Sequence, residues 1–580
     1  MGMPASTPGR HTMGFTRFIP RFSSARSDWC ISSLLVLLTC ALYLVFRSAQ
    51  QSGDYLSYAY AIRTGKALFH PHHVLFSPVV RGLYLTALQF NLSFDAVFVG
   101  QLHNILWAAV AIVALYHTLR VILSSRARAL TAAIVFFASI GVWSGSTQAE
   151  VYVPATACLS LAALLLVSGY GRRWSATRLL SLSVLYALAV LYHQSNVIFA
   201  LPLAAALLNG DATRKIGKTT AVLCLSGVLV LIVYVLAYTS AASQATVEGF
   251  FRFCLAYTDH PNPAWGTTAH FSPAGVALLL KSQLRSVVYV PPGSSWPVLA
   301  AIAVFGLLLA GVVVHAVGRV WRVRTYRGFR ISLIAWLLSY YFFFLWWLPG
   351  RSEFFVMTLP PLLMLTSMTL KDLSGHVGRS WLRRVLLAAT AGALLIAFVI
   401  NIAYSVLPQT RSRGPSYAAA SQLAAIADDD CTVVCEYKQM QHLRYCFGRE
   451  RVVESSLILL YAYHRGAVPD TLRLDADRCA LIPLSVVVPD YRGVGTSGYD
   501  DRSGWRVFIT WLFDVREGTE ASEMTLRDFE LLRDGNGTEY ILLSARRIGV
   551  DGWAGLLANL DEKLAIQTGI KSDTFSKWLR

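Results

Sequence analysis

Charge is what this chain has least of. Only 14% of its 580 residues are Asp, Glu, Lys or Arg, and 33 of them are acidic; a water-soluble chain carries about 25% charged residues. With 55% hydrophobic residues and a mean hydropathy of +0.49, an ordinary globular protein is excluded. The last third of the chain contains no glycine-rich phosphate loop, no metal-spaced Cys/His set and no nucleophile elbow, so no known motif assigns it chemistry. No internal repeat is evident in the chain.

What is present is a series of apolar runs between about Ile31 and Leu407, each near the ~17–25 residues needed to cross a bilayer. Spans are expected at 31–47, 96–118, 129–143, 152–168, 179–192, 196–208, 219–239, 296–318, 331–347, 354–370 and 385–407, about eleven in all. The net charge of +18 is unevenly distributed between the alternating loops. With the N-terminus in the cytoplasm, the cytoplasmic segments hold 22 basic residues, among them Arg120, Arg126, Arg319, Arg330 and Lys371. The opposite loops hold seven: Arg63, Lys66, Arg81, Arg252, Lys281, Arg285 and Arg351. That bias fixes the orientation and accounts for the basic balance without nucleic acid. The first apolar run continues into Arg47 without a small-residue cleavage site, so it reads as a retained span.

Three segments follow: a cytoplasmic stretch 1–30, a membrane module 31–407 with long outer loops 48–95 and 240–295, and an extracytoplasmic region 408–580. The last reads as a small α/β domain. Its expected helices are Tyr417–Ala427, Ser455–His464 and Gly552–Leu564; its expected strands are Thr432–Glu436, Ala480–Pro489, Trp505–Asp514 and Glu539–Ser544. Four of the nine cysteines, Cys431, Cys435, Cys446 and Cys479, lie there and allow two disulfides in three pairings, with buried free thiols an equal alternative. In the first outer loop, helices are expected at Asp54–Lys66 and Val79–Leu92.

The residues suited to chemistry gather on the outer side. Asp54, in Ser52-Gly-Asp-Tyr55, follows the first span, where a carboxylate reads as a general base or as a helix cap. Glu150, in Gln148-Ala-Glu-Val-Tyr152, occupies a short outer turn. Together the two could orient an acceptor, bind a divalent cation such as Mg or Mn, or raise one another's pKa. His70, His72 and His73 put three imidazoles within four residues, too close in sequence for all to converge on one ion. They suit phosphate or acceptor binding, as does His193 in Leu191-Tyr-His-Gln-Ser195 unless it is a satisfied interhelical group. Arg351, in an aromatic turn with Glu353, suits a departing phosphate, and Arg63 and Lys66 are weaker versions of it.

In these motifs and their order along one membrane face, the chain resembles the GT-C superfamily of polytopic glycosyltransferases, most closely the protein O-mannosyltransferase-like group. The resemblance covers about the first 400 residues. It implies a mainly α, polytopic membrane fold and inverting transfer of a sugar from a polyprenyl-phosphate donor to an acceptor hydroxyl. Asp54 would be the catalytic base and Glu150 a second active-site carboxylate. The family often has two acidic residues in the first loop, or Pro-Pro-Gly after its first histidine. This chain has one acidic residue there and Pro71-His-His73, which leaves acceptor type and metal requirement open. The expected partners are the lipid bilayer, a polyprenyl-phosphate-linked sugar, and a protein, lipid or glycan acceptor; the expected location is a bacterial inner membrane with the last region periplasmic, or a lumenal equivalent. Two rivals remain: a transporter or lipid-linked-saccharide flippase, disfavoured because the spans are poor in mid-membrane charge, and a non-catalytic envelope assembly protein.

Overall fold

The computed structural model describes residues 22–170, 174–209, 215–242, 244–255, 265–290, 295–322, 326–374, 392, 395–427, 429, 431–455, 479–483, 529–533 and 539–544. The membrane part runs α1 (Phe22–Val45), α2 (Gly53–Thr64), α3 (Phe76–Gln89), α4 (Ala96–Leu123), α5 (Arg126–Ala138), α6 (Ile140–Thr147), α7 (Tyr152–Ser168), α8 (Ala176–Tyr192), α9 (Ala200–Leu208), α10 (Lys215–Ala241), α11 (Val247–Cys254), α12 (Pro273–Val287), α13 (Trp296–Arg322), α14 (Arg327–Trp347) and α15 (Leu359–Ser374). A further helix covers 395–411.

Among the described residues, six helical segments are long and apolar enough to cross a bilayer: α1, α4, α10, α13, α14 and Ser352–Leu373. The bent pair α5–α6 makes a seventh, and α7, α8 and Gln194–Leu208 are shorter apolar helices. Ten expected spans thus coincide with apolar helices, and the eleventh, at 385–407, lies partly outside the described residues. The span expected at 129–143 is corrected in shape, because α5 and α6 meet at 53°. At the break Ser139 takes an extended conformation, and the freed Ala138 carbonyl accepts a 2.9 Å hydrogen bond from Asn401 Nδ2. A broken helix survives in lipid when its loose carbonyl finds such a partner.

The two ends of α4 differ. Near its C-terminus Asp28 of α1 pairs with Arg120 at 3.3 Å and Arg126 at 2.9 Å. Beside it Lys371 Nζ donates to the Ile122 carbonyl at 2.8 Å, and Asp372 pairs with Arg330 at 3.0 Å and Arg319 at 3.3 Å. Basic residues expected on the cytoplasmic side therefore meet at one end of the bundle. At the other end, two buried amides on α4 hold the loops: Gln101 Nε2 donates to Ser48 O (2.9 Å) and Thr147 O (2.6 Å), and Asn104 Nδ2 to Glu150 O (2.6 Å) and Gly145 O (3.2 Å).

The outer helices α2 and α3 fall within two or three residues of the expected bounds. Ser52 caps α2, its hydroxyl accepting from Tyr55 N, and Gly65 ends it with φ 79°, a left-handed conformation suited to glycine. On its inner face the fully buried Tyr55 donates its hydroxyl to Val97 O at 2.6 Å and Ala96 O at 3.2 Å. That hydroxyl occupies the space where Gly100 would carry a Cβ.

After 411 come a helix at Pro415–Ile426, β1 (Thr432–Cys435), a helix at Tyr437–Phe447, β2 (Val452–Glu454), β3 (Cys479–Pro483), β4 (Phe529–Arg533) and β5 (Glu539–Ser544). The sheet order is β2-β1-β3-β5-β4, with β1 parallel to β2 and β3 and the β3–β5 and β4–β5 pairs antiparallel. Helix Tyr437–Phe447 links the parallel pair β1–β2, a connection that parallel strands require. β2, β4 and that helix were not expected from sequence. The expected strand Trp505–Asp514 and helix Gly552–Leu564 lie outside the described residues, as does all of Ser455–His464 after its first residue. Two disulfides are ruled out: Cys431 is disulfide-bonded, but Cys435 and Cys446 are free.

Filling the gap between Gly100 and Tyr55 tests how the outer helices are seated. Gly100→Ala is expected to destabilise the protein by about 1–3 kcal/mol through overpacking. Thermal unfolding in detergent should show a lower midpoint, and Gly100→Ala with Tyr55→Phe should recover part of it.

Candidate active site

The α2 N-terminus, the α6–α7 turn, the α8–α9 turn and the α14–α15 turn meet at the end of the bundle opposite the Asp28 and Asp372 clusters. Each brings a residue with chemical potential. Asp54 stands exposed in the first turn of α2. Because Ser52 is the cap, Asp54 is left with no capping duty.

Glu150 is aimed by strained backbone. Ala149 before it has φ 57°, unusual for a residue with a side chain, and the turn closes as Glu150 N donates to Gly145 O at 2.8 Å. Asn104 holds both carbonyls of that turn, so α4 supports the strain. Half-buried, the carboxyl of Glu150 is pushed up to about 8 by burial and by the negative charge of Asp54, against a hydrogen bond from Ser52. At neutral pH it therefore carries a proton, while Ser52 ties it to the start of α2.

Arg351 and Glu353 bound the same space from the α14–α15 turn, with Nη1 3.3 Å from Glu353 Oε1. Asp54, Glu353 and Arg351 all lie close enough to Glu150 to act on its charge. Asp54, Glu150, Arg351 and Glu353 are thus one electrostatic group. In sequence Glu353 stands out only as the neighbour of Arg351.

The histidines form a second wall. His70 and His73 stack with ring centroids 4.1 Å apart and planes at 1°, His193 lies 6.0 Å beyond His73, and Tyr58 meets His73 edge-on at 4.9 Å. His72 turns toward Trp347, 6.4 Å away. Burial lowers His70 to about 4 and, with neighbouring imidazoles, His72 and His193 to about 3, so all are neutral at pH 7. His193 Nδ1 pairs with Ser195 Oγ at 2.7 Å, a local partner rather than an interhelical one. His73 is only 6% exposed, and neither ring nitrogen has a partner.

Two expected cations lie elsewhere. Arg63 places its guanidinium 4.4 Å from the Tyr445 ring centroid, which a reading of the first loop alone could not foresee. Lys66 is exposed beyond the end of α2. Among the described residues, no three His, Cys, Asp or Glu side chains come together as a ligand set for an ion.

Residues 77–238 match the family described as dolichyl-phosphate-mannose-protein mannosyltransferase. That span includes Glu150 and His193 but begins after Asp54 and His70–His73. Among solved structures, ArnT from Cupriavidus metallidurans, bound to undecaprenyl phosphate, is similar over 88% of this chain and 98% of its own, at 13% identity and TM-score 0.52. At that identity the likeness is one of fold. The Archaeoglobus fulgidus oligosaccharyltransferase, in complex with zinc and sulfate, is similar over 87% of this chain and 72% of its own, at 12% identity and TM-score 0.45, too distant to carry an argument. No curated protein matches the chain.

The unpaired imidazole makes a testable site. A buried polar group without partners costs about 1–3 kcal/mol, so His73→Phe is expected to raise the unfolding temperature of the ligand-free protein while lowering activity. Unfolding scans over pH add a sign. The lowered imidazole pKa values make stability fall as pH drops from 6.5 toward 4, and His73→Phe should flatten that fall.

Proposed function

We propose that this integral membrane protein of GT-C glycosyltransferase fold transfers a sugar from a polyprenyl-phosphate donor to an acceptor hydroxyl outside the cytoplasm, with inversion. The observation that carries this is Asp54, Glu150, Arg351 and Glu353 meeting a wall of neutral histidines at one end of the bundle. Asp54 takes the proton of the acceptor hydroxyl as its oxygen bonds to the sugar C1. The bond from C1 to the phosphate oxygen breaks, and polyprenyl phosphate leaves with the bonding pair. Arg351 offsets charge developing on the phosphate, and the imidazole N–H groups donate to it. Protonated Glu150 is a hydrogen-bond donor beside the base, and its proton spares Asp54 a second negative neighbour. His70, His72, His73 and His193 bind substrate; Arg63 and Lys66 lie outside the reacting group.

The lipid chain of the donor has an apolar route. A groove of 450 Å³ is lined by Ile198, Leu201, Leu338, Phe342, Phe343 and Trp346, with Ser339 its one polar residue. Trp346 adjoins Trp347, which faces His72. The N-terminal stretch 1–30 is assigned to the cytoplasm and 408–580 to the periplasm or a lumen, in keeping with the basic residues at the opposite end. A flippase would need charge along a path through the bundle; in the described structure the Asp, Glu, Lys and Arg residues lie toward the ends of the spans or in the loops.

Purified protein supplied with labelled polyprenyl-phosphate sugars provides the test. Asp54→Asn is expected to lower turnover by about 10²–10⁴-fold, the range for loss of a general base; equal turnover would make Asp54 a bystander. Glu150 loses its proton as pH rises through about 8, so turnover should fall on that alkaline side, and Glu150→Gln, neutral at every pH, should abolish that limb. A wild type inactive with every donor ends this reading.

A further inference from the structure

The region after 411 has no chemistry of its own in the sequence, yet it is fastened to the helix that carries Asp54. Tyr60 Oη donates to both carboxylate oxygens of Glu450, at 2.8 and 2.9 Å. Arg63 stacks on Tyr445, and the Tyr445 hydroxyl donates to Asp95 at the start of α4. Gln409 joins both acidic loops: its carbonyl accepts from Ala49 N at 2.8 Å, and its side-chain oxygen from Gln148 Nε2 at 3.1 Å.

The tightest approach is beside the proposed base. A Cβ on Gly53 would lie 2.8 Å from Tyr437 Cε1, 3.0 Å from Cδ1 and 3.3 Å from Lys438 Cγ. Any other residue before Asp54 would push the Tyr437 ring away or shift α2. The first turn of α2 is therefore held from two sides, by the Tyr437 ring at Gly53 and by the Ser52 hydroxyl on Glu150.

We infer that Tyr437 is a positioning residue for the transfer: its ring, seated on Gly53, sets where Asp54 stands relative to the acceptor hydroxyl. The inference rests on the proposed function of Asp54. Tyr437 touches no reacting atom. It acts through α2, where a displacement of about 1 Å is enough to cost roughly 100-fold in rate.

The experiment uses the full chain in detergent with the labelled donors and four variants: Gly53→Ala, Tyr437→Ala, the double variant, and Asp54→Asn as control. Each single variant is expected to lower kcat by about tenfold or more with donor KM within about twofold, since the base moves but the donor pocket does not. The double variant replaces the ring with a methyl group at the same contact, so it should exceed either single variant. Hydrogen exchange supplies a readout independent of turnover. The Tyr55 and Leu56 amides, bonded to Ser52, should exchange about tenfold faster in Tyr437→Ala. If kcat is kept in both single variants while Asp54→Asn is inactive, or if the double variant is no better than Gly53→Ala, the positioning role is overturned and the function of Asp54 stands. If Asp54→Asn is as active as wild type, the reading of the base fails first and the positioning role falls with it.

Discussion

The arrangement of the site depends on two amide side chains on one membrane helix. Gln101 and Asn104 lie one turn apart on α4, 2% and 0% exposed, and between them bind the carbonyls of Ser48, Gly145, Thr147 and Glu150. In an apolar setting a carbonyl without a donor costs several kcal/mol, so neither loop can leave α4 without a large loss. Ser48 fixes where the first outer loop begins, and Thr147 and Gly145 fix where the second turn lies. The relative positions of Asp54 and Glu150 therefore follow from two residues of a helix that carries neither.

The strain at Ala149 belongs to the same arrangement. A left-handed residue with a side chain costs roughly 1–2 kcal/mol, and here it turns Glu150 back toward α2. The Asn104 bonds to the carbonyls on both sides of the strained peptide stabilise it. Ser52 then joins the two loops directly, its hydroxyl serving Tyr55 N as a cap and the Glu150 carboxyl as a partner. A cap thus connects helix geometry to the protonation of an acid.

The membrane part was legible in the sequence because hydropathy and the placement of basic residues are sums over many positions, so single deviations matter little. Asp54, Glu150, His193 and Arg351 stood out for a related reason, being rare polar residues at the ends of apolar runs. Local chemistry was read less well. Asp54 resembles a cap, but the hydroxyl two residues earlier takes that role; the break at Ser139 has no proline, and Gly141 beside it lies within α6. Pairings distant in sequence left no trace at all: Arg63 on Tyr445, Gly53 against Tyr437, and Asn401 on the broken helix are contacts of the finished fold. The C-terminal sheet suffered similarly, since β2 and β4 lie at its two edges and gain their identity from the strand each pairs with.

The two walls of the site answer different halves of the proposed reaction. The acidic wall, with Asp54 exposed and Glu150 holding a proton, suits an uncharged hydroxyl that must lose a proton; an anion set against it would be repelled. The imidazole wall carries no charge at neutral pH, because burial and mutual proximity keep His70, His72 and His193 neutral. It therefore neither repels a phosphate nor binds one strongly by charge in advance. An arriving phosphate would change that, since a nearby negative charge and hydrogen bonds to the protonated form both raise an imidazole pKa. The donor would bring the condition for its own recognition. Arg351, at the seam with Glu353, is the fixed positive charge between the walls, and it stands where negative charge would pass as the phosphate departs.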